Sequence, residues 1–370
     1  MPDNQTVPSA MLTIFINGRF LGRQPTGVDR FAIEMIRAID ELCTNCDPSV
    51  DGLTFQILVP RGINPSQDLH NIPTRHVGHL QGQAWEQIDL PLAAGGGLLL
   101  NLCNTAPIFR QKQLVVIHDA ATARVPSSYG KLFRLWYGLL IPTVYRRAAS
   151  VCTVSKFSRD DLAQVYGTRE HVRVVPEGTD HMARVSSDQG VLDRHGLRSR
   201  PYIFAVSSLS SHKNFGAVVT AVELMGSTDF DIAIAGGQNP KIFAQVGQNL
   251  PASVKYVGYV SDAELKALYE NASCFVFPSL YEGYGLPPTE AMACGCPVVA
   301  ANAASLPEVC GDAAAYFDPR EPADLARTLD SVMRSPSQRL QMKSLGLTQT
   351  KTMVWSSAAL TLLSEIRRVA

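Results

Sequence analysis

The sequence lacks both a net charge and a long apolar run. Its 370 residues carry 33 Lys and Arg against 33 Asp and Glu, and the hydrophobic and charged fractions, 46% and 18%, are typical of globular proteins. A nucleic-acid-binding protein usually has a basic excess, so we expect no nucleic acid as a partner. Residues 90–109 form the longest uncharged stretch, but the glycines and prolines within it predict turns and a strand rather than a membrane span.

Metal and redox sites also lack their usual sequence signals. The eight cysteines contain a single CxxC pair, Cys43 and Cys46, whereas a zinc cage usually needs two such pairs. We therefore expect reduced thiols, as in a cytosolic protein. We find no Asp-x-Asp motif placed to hold a hard cation, so we expect neither a metal nor another cofactor.

Motifs for nucleotide hydrolysis and dinucleotide binding are incomplete. Gly22 and Gly27 have the spacing of a P-loop, but Val28 and Asp29 follow where Lys and Ser or Thr would bind phosphate and magnesium. No GxGxxG motif follows a predicted strand, which argues against a dinucleotide-dependent oxidoreductase.

Short apolar strands alternate with amphipathic helices along the chain. Residues 28–42 carry apolar side chains at helical spacing, and Thr26 with Asp29 resembles a capping box that starts this helix just after Gly27. Candidate strands lie at residues 11–16, 55–59, 98–102, 114–117, 151–154, 172–175, 202–206, 231–235, 256–257, 274–277, 298–300 and 314–317. Such continuous apolar strands suit parallel sheets, so we expect an α/β fold of two doubly wound lobes facing across a cleft.

Residues 277–299 contain the strongest functional signal. A predicted strand ends at Pro278 and a helix begins near Pro287, so the glycines between them bring backbone N–H groups and a helix N-terminus to a point that favours a diphosphate. Glu282 precedes this turn and Glu290 lies in the first helical turn, where carboxylates can accept hydrogen bonds from vicinal hydroxyls of a sugar or ribose. Taken alone, Glu290 could equally complement the helix dipole.

This segment resembles the Glu-x7-Glu signature of the retaining glycosyltransferases of family 4, which have the GT-B fold of two facing Rossmann-like lobes. The likeness covers almost the whole chain, and bacterial mannosyltransferases of polysaccharide or lipid-linked glycan assembly are the members it resembles. The other matching segments, in the expected order, are residues 17–39, the Trp85-Glu-Gln-x-x-Leu-Pro91 run, His118-Asp119, Ser211-His212-Lys213-Asn214 and Leu306-Pro307-Glu308.

The resemblance implies a donor site built mainly in the C-terminal half. Glu290 would hold the nucleotide ribose, and Glu282 with the loop that follows it would hold the donor sugar and phosphates. The loop residues implied are Gly283, Tyr284, Gly285 and Leu286. Gly27, in the first strand–helix loop, would close over the donor phosphate and the acceptor.

Lys213 follows a predicted strand and is implied as a catalytic cation. A lysine there can neutralise a departing diphosphate, although by itself it could be a solvated lysine at a helix end. The donor-site residue His212 stands where relatives usually carry arginine, and Ser207 and Ser208 stand where they often carry another. The sequence therefore shows one cation where relatives carry more.

His118 closes a predicted strand, where its side chain would face the cleft. The resemblance places it beside the donor sugar as an acid or base, while a structural histidine is the alternative from spacing alone. Because no carboxylate is evidently placed as a covalent nucleophile, the implied chemistry is front-face displacement assisted by the leaving phosphate. Lys213 and Glu282 would complete the catalytic set.

These expectations divide the chain into four parts. Residues 1–185 form an N-terminal acceptor-binding lobe, 186–200 a polar linker, 201–345 a C-terminal nucleotide-sugar-binding lobe, and 346–370 a C-terminal helix that crosses back to the N-lobe. The expected activity is retaining transfer of a hexose, mannose from GDP-mannose, to a lipid-linked oligosaccharide or polysaccharide. The alternatives are a GT-B nucleotide-sugar epimerase, a phosphorylase-like enzyme and a non-catalytic two-lobed sugar-binding module.

Residues 119–160, the basic–aromatic segment, carry seven cations and no acid between the two aspartates that bound them. Such a segment suits an anionic membrane surface or a lipid diphosphate, and the alternative is a long N-lobe helix with a core-facing apolar side. The residues expected at the acceptor or membrane are Arg124, Lys131, Arg134, Trp136, Arg146 and Arg147. Since no signal peptide is evident, we expect a cytoplasmic protein at the inner face of the cell membrane.

Overall fold

Two parallel sheets with interleaved helices form the two lobes. The computed structural model describes residues 11–63, 69–206, 210–226, 228–236 and 253–369. The N-lobe strands are β1 Leu12–Asn17, β2 Leu53–Val59, β3 Thr74–His76, β4 Leu98–Asn101, β5 Gln113–Val116, β6 Ser150–Thr153 and β7 Val172–Val174. The C-lobe strands are β8 Tyr202–Val206, β9 Asp231–Ala235, β10 Val254–Gly258, β11 Cys274–Phe277, β12 Val298–Ala301 and β13 Ala314–Phe317. The predicted pair of doubly wound α/β lobes is confirmed.

Helices connect these strands in both lobes. The α-helices are α1 Gly27–Thr44, α2 Gly82–Ala84, α3 Leu90–Ala94, α4 Ala121–Arg124, α5 Lys131–Arg147, α6 Lys156–Tyr166, α7 His181–Arg184, α8 Gly190–Arg194, α9 Phe215–Met225, α10 Asp262–Asn271, α11 Leu286–Ala293, α12 Leu306–Cys310, α13 Pro322–Arg334, α14 Pro336–Thr350 and α15 Trp355–Val369. A π-helix spans Trp85–Asp89, and 3-10 turns span Arg19–Gly22, Pro48–Val50, Pro126–Ser128, Ser211–Lys213 and Gly311–Ala313. Thr26 and Asp29 form the reciprocal capping box that starts α1. Among the residues that the structure describes, no helix is long and apolar enough to cross a membrane.

Each sheet reverses its strand order at one pair of neighbouring strands. The N-lobe order is β3-β2-β1-β4-β5-β6-β7, which reverses between β1 and β4. The C-lobe order is β10-β9-β8-β11-β12-β13, which reverses between β8 and β11. Doubly wound sheets bind ligands beyond the carboxyl ends of the strands at such points. The loops that follow β1, β4, β8 and β11 are therefore the ones that position the candidate sites.

The last helix packs on the N-lobe rather than on the lobe that precedes it in sequence. Trp355 and Leu362 of α15 are buried in the same apolar cluster as Ile36 of α1. The segment predicted as a linker, residues 186–200, contains α8, whose Val191 is buried in the C-lobe core. Periodicity does not reveal α8, because five residues are too few to show a helical repeat. The exact domain boundaries stay predictions.

Candidate functional site

A cavity of about 240 Å³ lies between the two lobes. Its N-lobe wall is the start of α1, with Gly27 and Arg30. Its C-lobe wall combines Val206 at the end of β8 with Leu286 and Glu290 of α11. The cavity thus lies at the carboxyl edge of the C-lobe sheet and joins three of the residues predicted to bind the donor, Gly27, Leu286 and Glu290.

Glu290 is buried and held by two side chains. Its Oε1 lies 2.9 Å from Nε2 of His181, and its Oε2 lies 3.4 Å from the hydroxyl of Tyr269. The indole N–H of Trp355 donates to Nδ1 of His181 at 3.1 Å. Because Nδ1 accepts this bond, Nε2 carries the proton that His181 donates to Glu290. The carboxylate therefore has a fixed orientation at the wall of the interlobe cavity.

The dipole explanation for Glu290 does not fit the observed helix. We expected Glu290 in the first helical turn, but α11 begins at Leu286, which puts Glu290 in the second turn. The interaction with a helix dipole falls off within the first turn. Gly285 precedes the helix with a φ of +107°, and a Cβ there would lie 2.6 Å from Cδ2 of Leu306. This glycine is needed for the sharp entry into α11.

Lys213 and Glu282 form an ion pair at the carboxyl edge of the C-lobe sheet. Nζ of Lys213 lies 2.6 Å from Oε1 of Glu282 and 5.6 Å from the ring centroid of Phe277. Asn214, with a left-handed φ of +54°, donates to the carbonyl oxygen of Pro278. This bond fixes the loop after β8 against the loop after β11. Two predicted catalytic residues that are 69 positions apart in sequence therefore meet.

His212 does not supply a second cation. Burial, together with the positive charge of Lys213, lowers the pKa of His212 below its ordinary value of 6.5. Its Nδ1 lies 3.0 Å from the hydroxyl oxygen of Ser128 in the N-lobe. A neutral imidazole at this position can hydrogen-bond a donor but adds no charge near neutral pH. Ser207 and Ser208 lie outside the described residues.

His118 is enclosed, whereas we expected its side chain to face the open cleft. Its Nε2 donates to the carbonyl oxygen of Leu102 at 2.9 Å, and its Nδ1 lies 3.8 Å from Oε1 of Glu177. The ring of Phe31 packs edge-on against the imidazole at 4.8 Å between centroids. Burial raises the pKa of Glu177, while the electrostatic effect of the nearby His118 imidazole opposes that shift. His118 and Glu177 thus form a buried acid–base pair, and the catalytic role of His118 stays a prediction.

The loop after β11 closes directly onto the N-lobe. A Cβ on Gly283 would lie 2.4 Å from the carbonyl oxygen of His118, so glycine is required for this approach. The Gly283 carbonyl accepts a hydrogen bond from the hydroxyl of Ser155 at 2.6 Å. The hydroxyl of Tyr284 donates to the carbonyl oxygen of Glu177 at 3.1 Å. The Tyr284 side chain therefore contacts the N-lobe, and a donor contact from this residue would come from its backbone.

The structure divides the basic–aromatic segment into a buried part and an exposed part. Leu140 and Tyr145, in the C-terminal half of α5, are buried in the N-lobe core. The N-terminal half exposes Leu132, Leu135 and Leu139, which we call the leucine stripe, at 83%, 75% and 59% of their surface. All five cations among the predicted contacts are exposed, and they are Arg124, Lys131, Arg134, Arg146 and Arg147. The interpretation of this segment as a helix with a core-facing apolar side is correct for the C-terminal half of α5. It does not explain the exposed leucines of the N-terminal half.

Three other predicted contacts of this segment have partners within the N-lobe. Arg124 lies 2.6 Å from Oδ1 of Asp161, and Arg146 donates to the carbonyl oxygen of Tyr166 at 3.2 Å. Trp136 is half-buried and packs against the apolar cluster beneath α5. Because they have these partners, the three side chains are less free to meet an external surface than Lys131, Arg134 and Arg147.

One Asp-x-Asp sequence does occur, at residues 229–231. It lies at the amino end of β9, the edge of the sheet opposite to the cleft. Asp231 is buried and pairs with Arg200 at 3.2 Å and with Lys255 at 2.7 Å. Within residues 11–63, 69–206, 210–226, 228–236 and 253–369, no three His, Cys, Asp or Glu side chains lie close enough together to hold a metal ion. Metal independence stays a prediction.

Four residues of the site have no sequence signal strong enough to single them out. They are Arg30, Glu177, His181 and Trp355. Arg30 lines the interlobe cavity and pairs with Asp262 of the C-lobe at 2.5 Å. His181 lies 109 positions before Glu290, its partner. Glu177 has only a weak signal, its place shortly after β7, at the carboxyl end of a strand.

Comparison with known proteins connects the C-lobe to one family. Residues 193–347 match the model of the Glycosyl transferases group 1 family. The chain is 30% identical over 221 residues to O-antigen chain mannosyltransferase B of Escherichia coli, covering 57% of this chain and 58% of that protein. It is 31% identical over 242 residues to MMP alpha-(1->4)-mannosyltransferase of Mycolicibacterium hassiacum, covering 62% and 56%. The chain therefore spans less than two thirds of the length of these relatives.

A solved structure matches both lobes together. Sucrose-phosphate synthase from Thermosynechococcus elongatus superposes with a TM-score of 0.75 over 97% of this chain and 98% of that chain, at 16% sequence identity. This likeness shows the fold. The two Rossmann-like lobes have the predicted GT-B arrangement.

Proposed function

Because residues 193–347 form a glycosyl transferases group 1 domain within a GT-B fold, we propose that this protein is a retaining hexosyltransferase. It transfers mannose from GDP-mannose to a glycan acceptor, a lipid-linked oligosaccharide or a polysaccharide. The observation that carries the proposal is Glu290 at the interlobe cavity, where His181 orients it to accept hydrogen bonds from vicinal hydroxyls.

The donor occupies the cavity and extends to the ion pair. Its ribose binds Glu290, and its diphosphate reaches Lys213. The lysine then leaves its ion pair with Glu282 and binds phosphate oxygens instead. Glu282 is then free to accept hydrogen bonds from the donor sugar. The positive charge of Lys213 stabilises the departing phosphate and lowers the barrier to its departure, without a metal ion.

Retention follows from displacement at the front face of the sugar. The acceptor hydroxyl forms its bond to the anomeric carbon on the side from which the phosphate leaves, and the departing phosphate takes the hydroxyl proton. A covalent route would need a further free carboxylate at the anomeric carbon, because Glu282 is proposed to accept hydrogen bonds from the hydroxyls of the donor sugar. Asp119 does not meet this need, because burial raises its pKa and its Oδ1 accepts the backbone N–H of Ala121 at 2.8 Å.

The mannosyl assignment is supported by the names of the two relatives, both of which are mannosyltransferases. A thermal-shift screen tests it, because a bound nucleotide sugar stabilises the native state. We expect GDP-mannose to raise the melting temperature more than UDP-glucose, UDP-galactose or GDP-fucose. A larger shift with a UDP-sugar would reassign the donor, and NMR of a product with inverted anomeric configuration would contradict retention.

Acceptor-dependent release of GDP separates the proposed transferase from the alternatives. An epimerase converts its nucleotide sugar without a glycan, and a phosphorylase-like enzyme depends on inorganic phosphate. A sugar-binding module releases no GDP under any of these conditions. We expect release that requires both GDP-mannose and a glycan acceptor.

The leucine stripe supports a second part of the proposal, contact with an anionic membrane. Three exposed leucines on one face of a helix bury apolar surface in the membrane interface, while the neighbouring Lys131 and Arg134 attract anionic headgroups. α5 begins shortly after Ser128, which contacts His212 at the donor site. The stripe is therefore close to the cleft that would receive a lipid-linked acceptor.

A further inference from the structure

A second cavity, of about 270 Å³, lies within the N-lobe. Asn17 at the end of β1, Pro60 after β2, and Leu102 and Thr105 after β4 contribute to its lining. It therefore straddles β1 and β4, between which the N-lobe sheet reverses its strand order, and such a point is where doubly wound sheets bind ligands. No residue lines both this cavity and the interlobe cavity.

Glu86 places a buried carboxylate at the wall of this cavity. Its side chain is 1% exposed. Its Oε1 accepts hydrogen bonds from Asn17 at 2.8 Å, from Thr105 at 2.8 Å and from Arg19 at 3.1 Å. Its Oε2 is buried and has no hydrogen-bond partner within the described part of the chain. All three donors thus converge on one oxygen, while the other is shielded from water and unused.

An unpaired oxygen of a buried carboxylate is unfavourable, because it has lost its hydration without gaining a donor. Glu86 lines the cavity, so a ligand that enters it can supply the missing donor once the wall moves to uncover Oε2. An ionised carboxylate only accepts hydrogen bonds. The ligand must therefore bring an O–H or N–H group.

The charges around this cavity cancel. Arg19 faces Glu86, and Arg23 is bound by the buried Asp29, with 2.6 Å between Nη2 and Oδ1. Two guanidinium groups matched by two carboxylates leave no net charge to attract a phosphate. Apolar side chains such as Phe20 complete the lining. A lining that mixes apolar surface with a few fixed polar groups suits a neutral, hydroxyl-rich ring.

We propose that this cavity binds one neutral sugar residue of the acceptor, with a hydroxyl of that sugar donating to Oε2 of Glu86. Its volume is close to the lower end of the ~300–1,000 Å³ range of small-molecule sites, as a single ring requires. Leu102 lines the cavity, and its carbonyl oxygen accepts the hydrogen bond from His118 at 2.9 Å. Leu102 thus separates the sugar from His118, the residue predicted beside the donor sugar. This inference rests on the proposed glycosyl transfer, because it locates the acceptor of that reaction.

Binding of uncharged monosaccharides to the full chain tests the pocket without knowledge of the complete acceptor. The probes are methyl α-D-mannopyranoside, methyl α-D-glucopyranoside and inorganic phosphate, measured by saturation-transfer NMR and calorimetry. We expect at least one of the two glycosides to bind and phosphate not to compete. Competition by phosphate would overturn the assignment to a neutral ligand.

Glu86→Gln changes the unused acceptor into an N–H donor while keeping an oxygen for Asn17, Thr105 and Arg19. We expect it to weaken glycoside binding by at least about tenfold, with the thermal shift by GDP-mannose unchanged. Asp40→Asn is the matched control, because Asp40 is a buried N-lobe carboxylate that accepts backbone N–H groups away from the cavity. It should leave glycoside binding unchanged even where it lowers the melting temperature.

A variant at the rim tests the pocket if Glu86→Gln fails to fold. Gln81 lines the cavity and is exposed, so Gln81→Trp should block the entrance and abolish glycoside binding at an unchanged melting temperature. Glycoside binding that persists in both variants would overturn the pocket, as would its absence in the wild type when GDP-mannose still stabilises the protein. If no nucleotide sugar stabilises the wild type, the proposed transferase activity is contradicted. The assignment of this cavity to an acceptor sugar is then contradicted as well.

Discussion

The imidazole of His181 and the carboxylate of Glu290 lie 2.9 Å apart, and both are buried. Trp355 donates to the other ring nitrogen of His181, which leaves Nε2 as the donor to Glu290. Trp355 begins α15 and belongs to the N-lobe core, whereas Glu290 belongs to the C-lobe. The residue that we propose for ribose binding is therefore oriented by two successive hydrogen bonds that reach the opposite lobe.

Removing His181 should impair donor binding more than the chemical step. His181→Phe leaves Glu290 without its donor and free to rotate, so we expect KM for GDP-mannose to rise about 10- to 100-fold, with a smaller change in kcat. Steady-state kinetics at varied donor concentration measure this split. His79→Phe, which changes an exposed histidine, is the control and should leave both constants unchanged. A 10- to 100-fold loss of kcat with an unchanged KM in His181→Phe would contradict a positioning role.

Removing the cation at Lys213 should slow the chemical step. Lys213→Met eliminates the charge that stabilises the departing phosphate, and we expect kcat to fall by about 100-fold or more. The change also leaves Glu282 without its ion-pair partner. Single-turnover transfer measures the step, with Lys112→Met, at an exposed position of the N-lobe, as the control. Near-wild-type turnover of Lys213→Met would remove Lys213 from the catalytic set.

The features predictable from sequence are those whose signal is local. The strand at 202–206 and the capping box of α1 each depend on residues within a few positions of one another, and the structure has both. The spacing from Glu282 to Glu290 is likewise a local signal, because both glutamates flank the same strand-to-helix loop. Glu290 lies in the second helical turn rather than the first, because the helix begins at Leu286.

The features that sequence does not predict are produced by chain segments that meet only in the folded protein. His181 and Trp355 are 174 positions apart, and neither has a motif around it. The unused oxygen of Glu86 is likewise invisible in sequence, because it depends on where three donors from β1, the loop after it and the loop after β4 converge. The exposure of the leucine stripe depends on which part of α5 the core covers, and cationic–aromatic spacing does not determine that.

A side chain at Gly283 should prevent the observed contact between the lobes. Gly283→Ala would place Cβ 2.4 Å from the carbonyl oxygen of His118, a backbone atom that cannot move away independently. We expect the loop to shift and kcat to fall by about 10- to 100-fold, because small displacements of a positioned group are costly. Gly138→Ala, where an added Cβ meets no atom within 4 Å, is the control and should retain activity. Full activity of Gly283→Ala would show that catalysis does not need this contact.

Glu365 should make the attachment of α15 dependent on pH. Burial alone would raise its pKa, but hydrogen bonds from Arg368, Ser150 and His171 outweigh this and hold the pKa at about 2, below the ordinary 4.5. A depressed pKa contributes stability above pH 4.5 that is lost as the pH falls toward 2. We expect Glu365→Gln to lower the free energy of unfolding by about 1–3 kcal/mol at pH 7, and the difference from wild type to shrink below pH 4.5.

Denaturant unfolding at pH 7, 5, 4 and 3 measures the contribution of Glu365. Glu41→Gln, at an exposed position of α1, is the control and should have little effect at any of these pH values. A difference between wild type and Glu365→Gln that stays constant from pH 7 to pH 3 would contradict the depressed pKa.

A charge introduced into the leucine stripe tests the proposed membrane contact, and the same charge at another exposed leucine is the control. Leu135→Glu places a charge where we propose that a leucine enters the membrane interface, so binding to vesicles that contain anionic lipid should weaken about tenfold or more. Leu340→Glu is the control, because Leu340 is 71% exposed and Leu135 is 75% exposed, yet Leu340 lies on α14 of the C-lobe. Flotation of both variants with anionic and with neutral vesicles, at low and high salt, separates the apolar contribution from the electrostatic one. If both variants bind anionic vesicles as the wild type does, the stripe makes no membrane contact.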